Sequence, residues 1–453
     1  MLDTRTIPQL TQDLRAGVVS ARQLVEQALA RISDPDGEGG RTFMTVWEDR
    51  ARELAEYVDR HELWRNERLP LCGIPLSVKD VFDIAGEITR AGSIALEDQP
   101  PAAADAEAVL RLRSAGAILI GRTTMSEFAF SGIGLNHHFG TPNNPWDRAI
   151  GRIAGGSSSG SAVAVADGMC AASLASDTGG SIRAPAALCG LTGFKPTASS
   201  ALLQGVFPRS YSLDTVGPIA RSVSCCAIIN AALSGRGALA TPPTLSVSGL
   251  RLGVIEGEPT DGLASDVAAA YTNALSRLSE RGAGLVQLSL PEIEKIRDIN
   301  SRGGISPPEA FAIHRDRIAT RSELIDPIFL ARLRKGEAVR AADYVDALRQ
   351  RQIIMAEVRI KTRQFDAIVM PTCPVVAPRI EDVQEPGAFE KMSALILRNC
   401  NLANFLDCPA LSVPIHPPGT APVGLMLIGA HGQDNDLLRV GLSVEDAMAR
   451  SEL

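Results

Sequence analysis

Histidine is scarce in this chain, with six residues among 453, and aromatic side chains make up only 4%. The eight cysteines, at 72, 170, 189, 225, 226, 373, 400 and 408, include no C-x-x-C pair. That spacing argues against a disulfide framework or a zinc site and fits reduced thiols in the cytosol. No apolar run approaches the roughly 20 residues needed to span a bilayer. The first residues, MLDTRTIPQL, lack the basic-then-apolar layout of a secretory signal. Lys and Arg are scattered and the net charge is −7, so nothing marks a surface for nucleic acid or anionic membrane. Internal repeats, low-complexity tracts and linkers are also missing. A cytoplasmic protein forming one compact unit over residues 1–453, as a monomer or homodimer, is the expectation.

What the chain does have is a regular alternation of short apolar runs and helix-like segments. Thr6 with Gln9 and Ser20 with Gln23 fit capping boxes at the start of two helices. A third helix is expected over about 43–63, with Trp47, Leu54 and Val58 in the core. From about 70 to 230, strands such as Ile74–Val78 and Ala117–Ile120 alternate with helices such as Ala106–Ser114. The pattern resumes with a strand at Leu250–Ile255, a helix at Ser265–Arg281 and a strand at Gly284–Leu290. Residues 291–365 are charge-rich and helical, and FDAIVMPT at 365–372 reads as one more buried strand. The expected fold is α/β, a mixed central sheet with helices on both faces.

Two glycine-rich turns stand out, GGSSSGS at 155–161 and DTGGSIR at 177–183, which place Ser157 and Ser181 24 residues apart. A lysine, Lys79, lies upstream in GIPLSVKD at 73–80. Serine becomes a nucleophile once a base takes its proton. The glycines beside Ser181 permit positive φ, and successive bare N–H groups there can converge on one oxygen. Strand alternation turns Leu76 and Val78 away from the face carrying Lys79. A buried lysine loses several pKa units and becomes a usable base, whereas Asp80 or Asp83 at close range would oppose that. Each feature taken singly also has a plain explanation. Ser181 could sit on a structural Gly-Gly turn, Ser157 could cap the small-residue helix expected at 160–168, and Lys79 could be a solvated strand end.

Together with GRTTMSEFAFSGIG at 121–134, GTPNNPWD at 140–147, SDTGGSIRAPAALCGLTGFKPT at 176–197 and SLDTVGPIARSV at 212–223, these motifs resemble the amidase signature family. The resemblance is dense from about 70 to 230 and looser over 326–349 and 365–428. It implies the amidase signature fold and a Ser-cisSer-Lys triad on Ser181, Ser157 and Lys79. It further implies an oxyanion hole from the N–H groups of Thr178, Gly179, Gly180 and Ser181. Asp177 and Arg183 would support the nucleophile turn, and Ala129, Phe130 and Ser131 would contact substrate. The implied reaction is hydrolysis of a linear amide through an acyl-enzyme without metal or organic cofactor, with esters, anilides or carbamates as further substrates. Departures from the family pattern are Ser159 in place of glycine, Ile153-Ala154 in place of a proline-containing entry to the turn, and Arg90 in place of a small residue.

Three other readings compete. Gly156–Gly160 formally fits G-x-S-x-G centred on Ser158, the nucleophile elbow of an α/β-hydrolase esterase, but the polar DRAIGRIAG stretch before it is not a strand and only His314, His416 and His431 follow. The glutamine-hydrolysing subunit of a tRNA-dependent amidotransferase shares the signature. A non-catalytic binding protein could keep the fold. Substrate choice is expected to lie in about 129–139, 202–211 and 300–400, where Phe130, Phe139, Phe207, Tyr211 and Phe311 could line a pocket or pack in the core, and Arg209 could be a rim charge or solvated.

Overall fold

The computed structural model describes residues 2, 4–198, 203–235 and 244–449. Its frame is an eleven-stranded sheet. The strands are β1 (Phe43–Val46), β2 (Pro75–Lys79), β3 (Ile118–Thr123), β4 (Ala172–Asp177), β5 (Thr192–Lys195) and β6 (Thr215–Ala220), followed by β7 (Arg251–Ile255), β8 (Gly284–Leu288), β9 (Ala367–Pro371), β10 (Ala410–Pro414) and β11 (Gly424–Ile428). They run in the order β1-β3-β2-β4-β6-β5-β10-β11-β9-β7-β8. β2 is parallel to both β3 and β4, β7 is parallel to both β8 and β9, and the other neighbours are antiparallel. The sheet is mixed, as the sequence predicts.

The reason both faces are covered is visible within single strands. Ala367 and Val369 of β9 join one hydrophobic core, and Ile368 and Met370 join a second. Leu425 and Leu427 of β11 likewise separate from Met426 and Ile428. Side chains alternate across a pleated sheet, so consecutive apolar residues need apolar cover on each side. The first core receives the helices Ile7–Arg15, Ala21–Ile32, Val223–Leu233, Ser265–Glu280 and Asp434–Ala449. The second receives most of the helical segment between 292 and 405.

Local chemistry sets the helix ends. Thr6 N–H donates to Gln9 Oε1 at 2.8 Å. Ser20 N–H donates to Gln23 Oε1 at 2.9 Å, while Ser20 Oγ accepts the Gln23 N–H at 3.1 Å, completing the reciprocal box. The helix expected over 43–63 requires correction. Phe43–Val46 is a strand at the sheet edge, and the helix is only Glu48–Arg60. Aromatic and β-branched residues suit the pleat there, and Trp47 N–H carries the pairing on to Ile120 O at 2.9 Å. The buried stripe of that helix is Ala51, Ala55 and Val58, whereas Leu54 falls off it and is 41% exposed.

The helix Ser159–Ala166 is built of small residues because two backbones press on it. A Cβ added to Gly160 would lie 2.7 Å from both Thr42 O and Thr124 O and 2.8 Å from Thr124 N. Backbone atoms cannot swing aside as a side-chain tip can. Gly160→Ala is therefore expected to lower stability by about 1–3 kcal/mol, read as a reduced urea midpoint with an unchanged slope.

Candidate active site

Lys79 ends β2, with Leu76 and Val78 turned into the first core. Its side chain is fully buried. Lys79 Nζ lies 2.7 Å from Ser157 Oγ and 3.0 Å from Ser176 Oγ. Burial lowers its pKa to about 7, aided by the positive charge of Arg209 and opposed by Asp177 and Asp214. The two nearby carboxylates in sequence are engaged elsewhere. Asp80 accepts from Arg122 Nη1 at 3.0 Å and from Gly92 N–H at 2.8 Å, and Asp83 accepts from Thr89 Oγ1 at 2.7 Å. A second buried lysine, Lys195, also has its pKa lowered, to about 8, again by burial first. Its ammonium, however, points at Pro196 O, 2.8 Å away, and meets no hydroxyl among the described residues. Geometry, not acidity, separates the two lysines.

The peptide bond between Gly156 and Ser157 is cis. Gly156 N–H donates to Gly132 O at 2.8 Å and Ser126 N–H donates to Ser157 O at 3.0 Å, so the 126–132 segment lies along this turn. Ser157 is not a helix cap: the capping position belongs to Ser158, whose side chain makes no capping bond. The elbow reading of Ser158 lacks its parts. A 3-10 turn at Arg148–Ile150, not a strand, precedes it, and His314 is wedged against Phe128 and Phe207 with ring centroids 4.2 and 5.7 Å away. Burial pushes the pKa of His314 down to about 3.

Ser181 follows β4 on a turn that Asp177 organises. The Asp177 carboxylate accepts from Gly180 N–H (2.7 Å), Ile182 N–H (3.1 Å), Arg183 Nε (3.1 Å), Arg183 Nη2 (3.0 Å) and Asn404 Nδ2 (2.9 Å). Burial alone would raise the Asp177 pKa, but Arg183, Lys195 and Asn404 hold it well below the usual carboxylate range. Gly180 has φ +128°, a conformation open to glycine, and a Cβ there would sit 2.5 Å from the Cys400 side chain. One expectation changes: the Gly180 N–H is committed to Asp177 and is not free for an oxyanion. Among the described residues the Thr178, Gly179 and Ser181 amides meet no acceptor, while the Thr178 hydroxyl donates to Asp214 Oδ1 at 2.6 Å. Ser181 Oγ itself is buried with no hydrogen-bond partner among the described residues. It shares this with the neighbouring hydroxyls of Ser126, Ser158 and Ser159.

Asp177 and Arg183 are both wholly buried and paired at 3.0 Å. Removing one partner strands the other's charge. Arg183→Met is expected to cost about 3–5 kcal/mol. The double variant with Asp177→Asn should be less destabilised than the sum of the two single changes, as a cycle of unfolding midpoints would show.

Ala129, Phe130 and Ser131 are buried, and Phe128 and Ala129 take φ +51° and +57°, a rare conformation for residues with a Cβ. Phe130 faces two guanidinium groups, Arg209 at 4.8 Å and Arg332 at 5.5 Å from its ring centroid. Phe139 and Phe311 are half-buried, Phe207 stacks near Phe128, and Tyr211 is 69% exposed. Leu202 lies outside the described residues. Three participants escaped the sequence reading. Ser176 and Asp214 sit inside the motifs already quoted, and Asn404 comes from a helix more than 200 residues downstream that carries no local signal. Among the described residues no group of three His, Cys, Asp or Glu side chains could hold a metal ion, and no helix is long and apolar enough to cross a membrane.

The buried Lys79–Ser157 pair thus lies within electrostatic reach of Asp177, the carboxylate that braces the Ser181 turn. The chain belongs to the amidase family, whose description, Amidase, matches residues 23–438. It is 35% identical to AtzE of Pseudomonas sp. (strain ADP), which is part of a 1-carboxybiuret hydrolase, covering 97% of each chain. It is also 35% identical to one component of the glutamyl-tRNA(Gln) amidotransferase of Symbiobacterium thermophilum, over 96% of this chain and 95% of that one. A crystallised amidase superposes with a TM-score of 0.87 at 33% identity, over 98% of this chain and 100% of its own. The protein is an amidase-signature hydrolase of carbon–nitrogen bonds in amides.

Proposed function

We propose that this protein hydrolyses a small linear carboxylic amide through an acyl-enzyme on Ser181, with Ser157 and Lys79 as proton carriers. The observation that carries this reading is the 2.7 Å contact between the buried Lys79 amine and Ser157 Oγ. As an amine with a pKa near 7, Lys79 accepts the Ser157 proton, and Ser157 takes the Ser181 proton as its oxygen attacks the carbonyl carbon. The carbonyl π electrons move to oxygen, where the Thr178, Gly179 and Ser181 N–H groups meet the negative charge. Collapse breaks the C–N bond, and the proton returns through Ser157 to the leaving nitrogen. Water then repeats the sequence on the ester, releasing the acid and free Ser181.

Esters, anilides and carbamates enter by the same route, esters with an easier leaving group. A cytoplasmic location, supported by the eight free cysteines, and function as a monomer or homodimer are part of this reading. The test is a panel of amides, anilides and carbamates assayed on the purified chain, with hydroxylamine as competing acceptor. Formation of the hydroxamate at the expense of the acid is expected, because both arise from one acyl-enzyme. Absence of any hydroxamate while amide is consumed would overturn it.

The similarity to a component of an amidotransferase supports a second reading, in which the chain hydrolyses glutamine for a partner that uses the ammonia. Hydrolysis of simple amides by the isolated chain without glutaminase activity rules that out.

A further inference from the structure

The catalytic parts leave one strong charge unused. Arg209 Nε and Nη1 are closed off from solvent, and among the described residues neither has a hydrogen-bond acceptor. A guanidinium without acceptors in such a place is costly. The Asp214 carboxylate offsets part of this charge but makes no hydrogen bond to the guanidinium. Asp214 spends Oδ1 on Thr178 Oγ1 and Oδ2 on the backbone N–H groups of Arg209 (2.8 Å) and Ser210 (3.0 Å). The other guanidinium over Phe130, Arg332, has its counter-ion, with Nη1 2.9 Å from Glu390. Asp214 and Asp177 offset part of the Arg209 charge, but among the described residues Arg209 Nε and Nη1 are left without an acceptor.

Its position is close to the chemistry. Asp214 ties the Arg209 backbone to Thr178, three residues before Ser181. Phe130, beneath the Arg209 guanidinium, belongs to the 126–132 segment bonded to Gly156 and Ser157. The Arg209 charge is also among those that act on Lys79. We propose that Arg209 is the anchor for a carboxylate on the substrate, so that the amide hydrolysed here is the monoamide of a short dicarboxylic acid or a close relative of one. This rests on the amide-hydrolase reading above. The planar N–H fork of arginine matches the two oxygens of a carboxylate. With Asp214 and Asp177 already offsetting part of its charge, the guanidinium suits a monoanion better than a doubly charged phosphate. The aromatic face of Phe130 holds the fork in place and excludes water.

The experiment compares matched substrates on the purified protein: oxamate, malonamate, succinamate and glutaramate, each against the neutral amide of the same length and against the corresponding ω-phosphono amide. At least one acid amide should exceed its neutral partner in kcat/KM by about 10- to 100-fold, the range for hydrogen bonds to a charged group. Arg209→Met should bring that ratio close to one, chiefly through KM, and Arg209→Lys should restore part of it. Because the ratio is taken within one preparation, it does not depend on how much of a variant folds. Equal hydrolysis of acid and neutral amides by the unmodified protein overturns the inference, as does an unchanged ratio in Arg209→Met. A preference for the phosphono amide overturns the carboxylate assignment. Failure of the catalytic reading looks different: no amide of any charge is cleaved, and a serine-reactive phosphonate leaves Ser181 unlabelled.

Discussion

Ser181→Ala is expected to reduce amide hydrolysis on the order of 10⁵-fold or more while leaving the fold intact. The hydroxyl makes no hydrogen bond that holds the structure together, since Ser181 Oγ has no partner among the described residues. Its removal takes away an unsatisfied buried polar atom, so the unfolding midpoint should stay level or rise. A serine-reactive phosphonate should label the unmodified protein once, at Ser181, and should not label the variant. Ser157→Ala should also lose activity, but by a different route, because it breaks the bond to Lys79 Nζ and leaves the amine facing a cavity. Labelling at Ser157 or Ser158 in place of Ser181 would refute the assignment of the nucleophile.

The second large effect is on Lys79 and can be read in a pH profile. With its pKa lowered to about 7 by burial, the amine is about one-tenth neutral at pH 6 and about nine-tenths neutral at pH 8. Because the neutral form is the base, kcat/KM should fall about tenfold per pH unit below 7 and level off above it. Lys79→Met and Lys79→Arg should both be inactive, the first for want of a base and the second because a guanidinium keeps its proton. The stability sign follows from the same shift. The folded-state pKa lies below that of an unfolded lysine, so the unfolded chain binds more protons between about pH 7 and 10. Stability of the unmodified protein should therefore drop as pH falls through that window, and Lys79→Met should lack this dependence. An activity limb that stays near pH 7 in a partially active Lys79 variant would assign the titration to another group.

Much of the site was legible because its parts are local in sequence. Glycines flanking Ser157 and Ser181, and a lysine after an apolar run, are features of a few residues each. The strands were legible for the same reason, since continuous apolar runs such as those of β2 and β9 read as buried on both faces. Phe43–Val46 reads as helix in the sequence because its apolar residues suit either period, and only the free edge of β3 makes it a strand. Arg209 was ambiguous because exposure is a property of what folds over a residue. Its neighbours Phe130 and Arg332 lie 79 and 123 positions away along the chain.

The candidate chemistry, then, is a matter of sequence: residue type and short spacing single out the side chains proposed as nucleophile, carrier and base. Tertiary structure decided how those groups are tuned and supported. It buried Lys79 so that its proton is held weakly, and it directed Asp80 to Arg122 and away from the amine. It spent the Gly180 amide on Asp177 and brought Asn404 to brace that carboxylate. Desolvation and hydrogen bonding depend on atoms that meet across long stretches of chain, and no local pattern of residues encodes them.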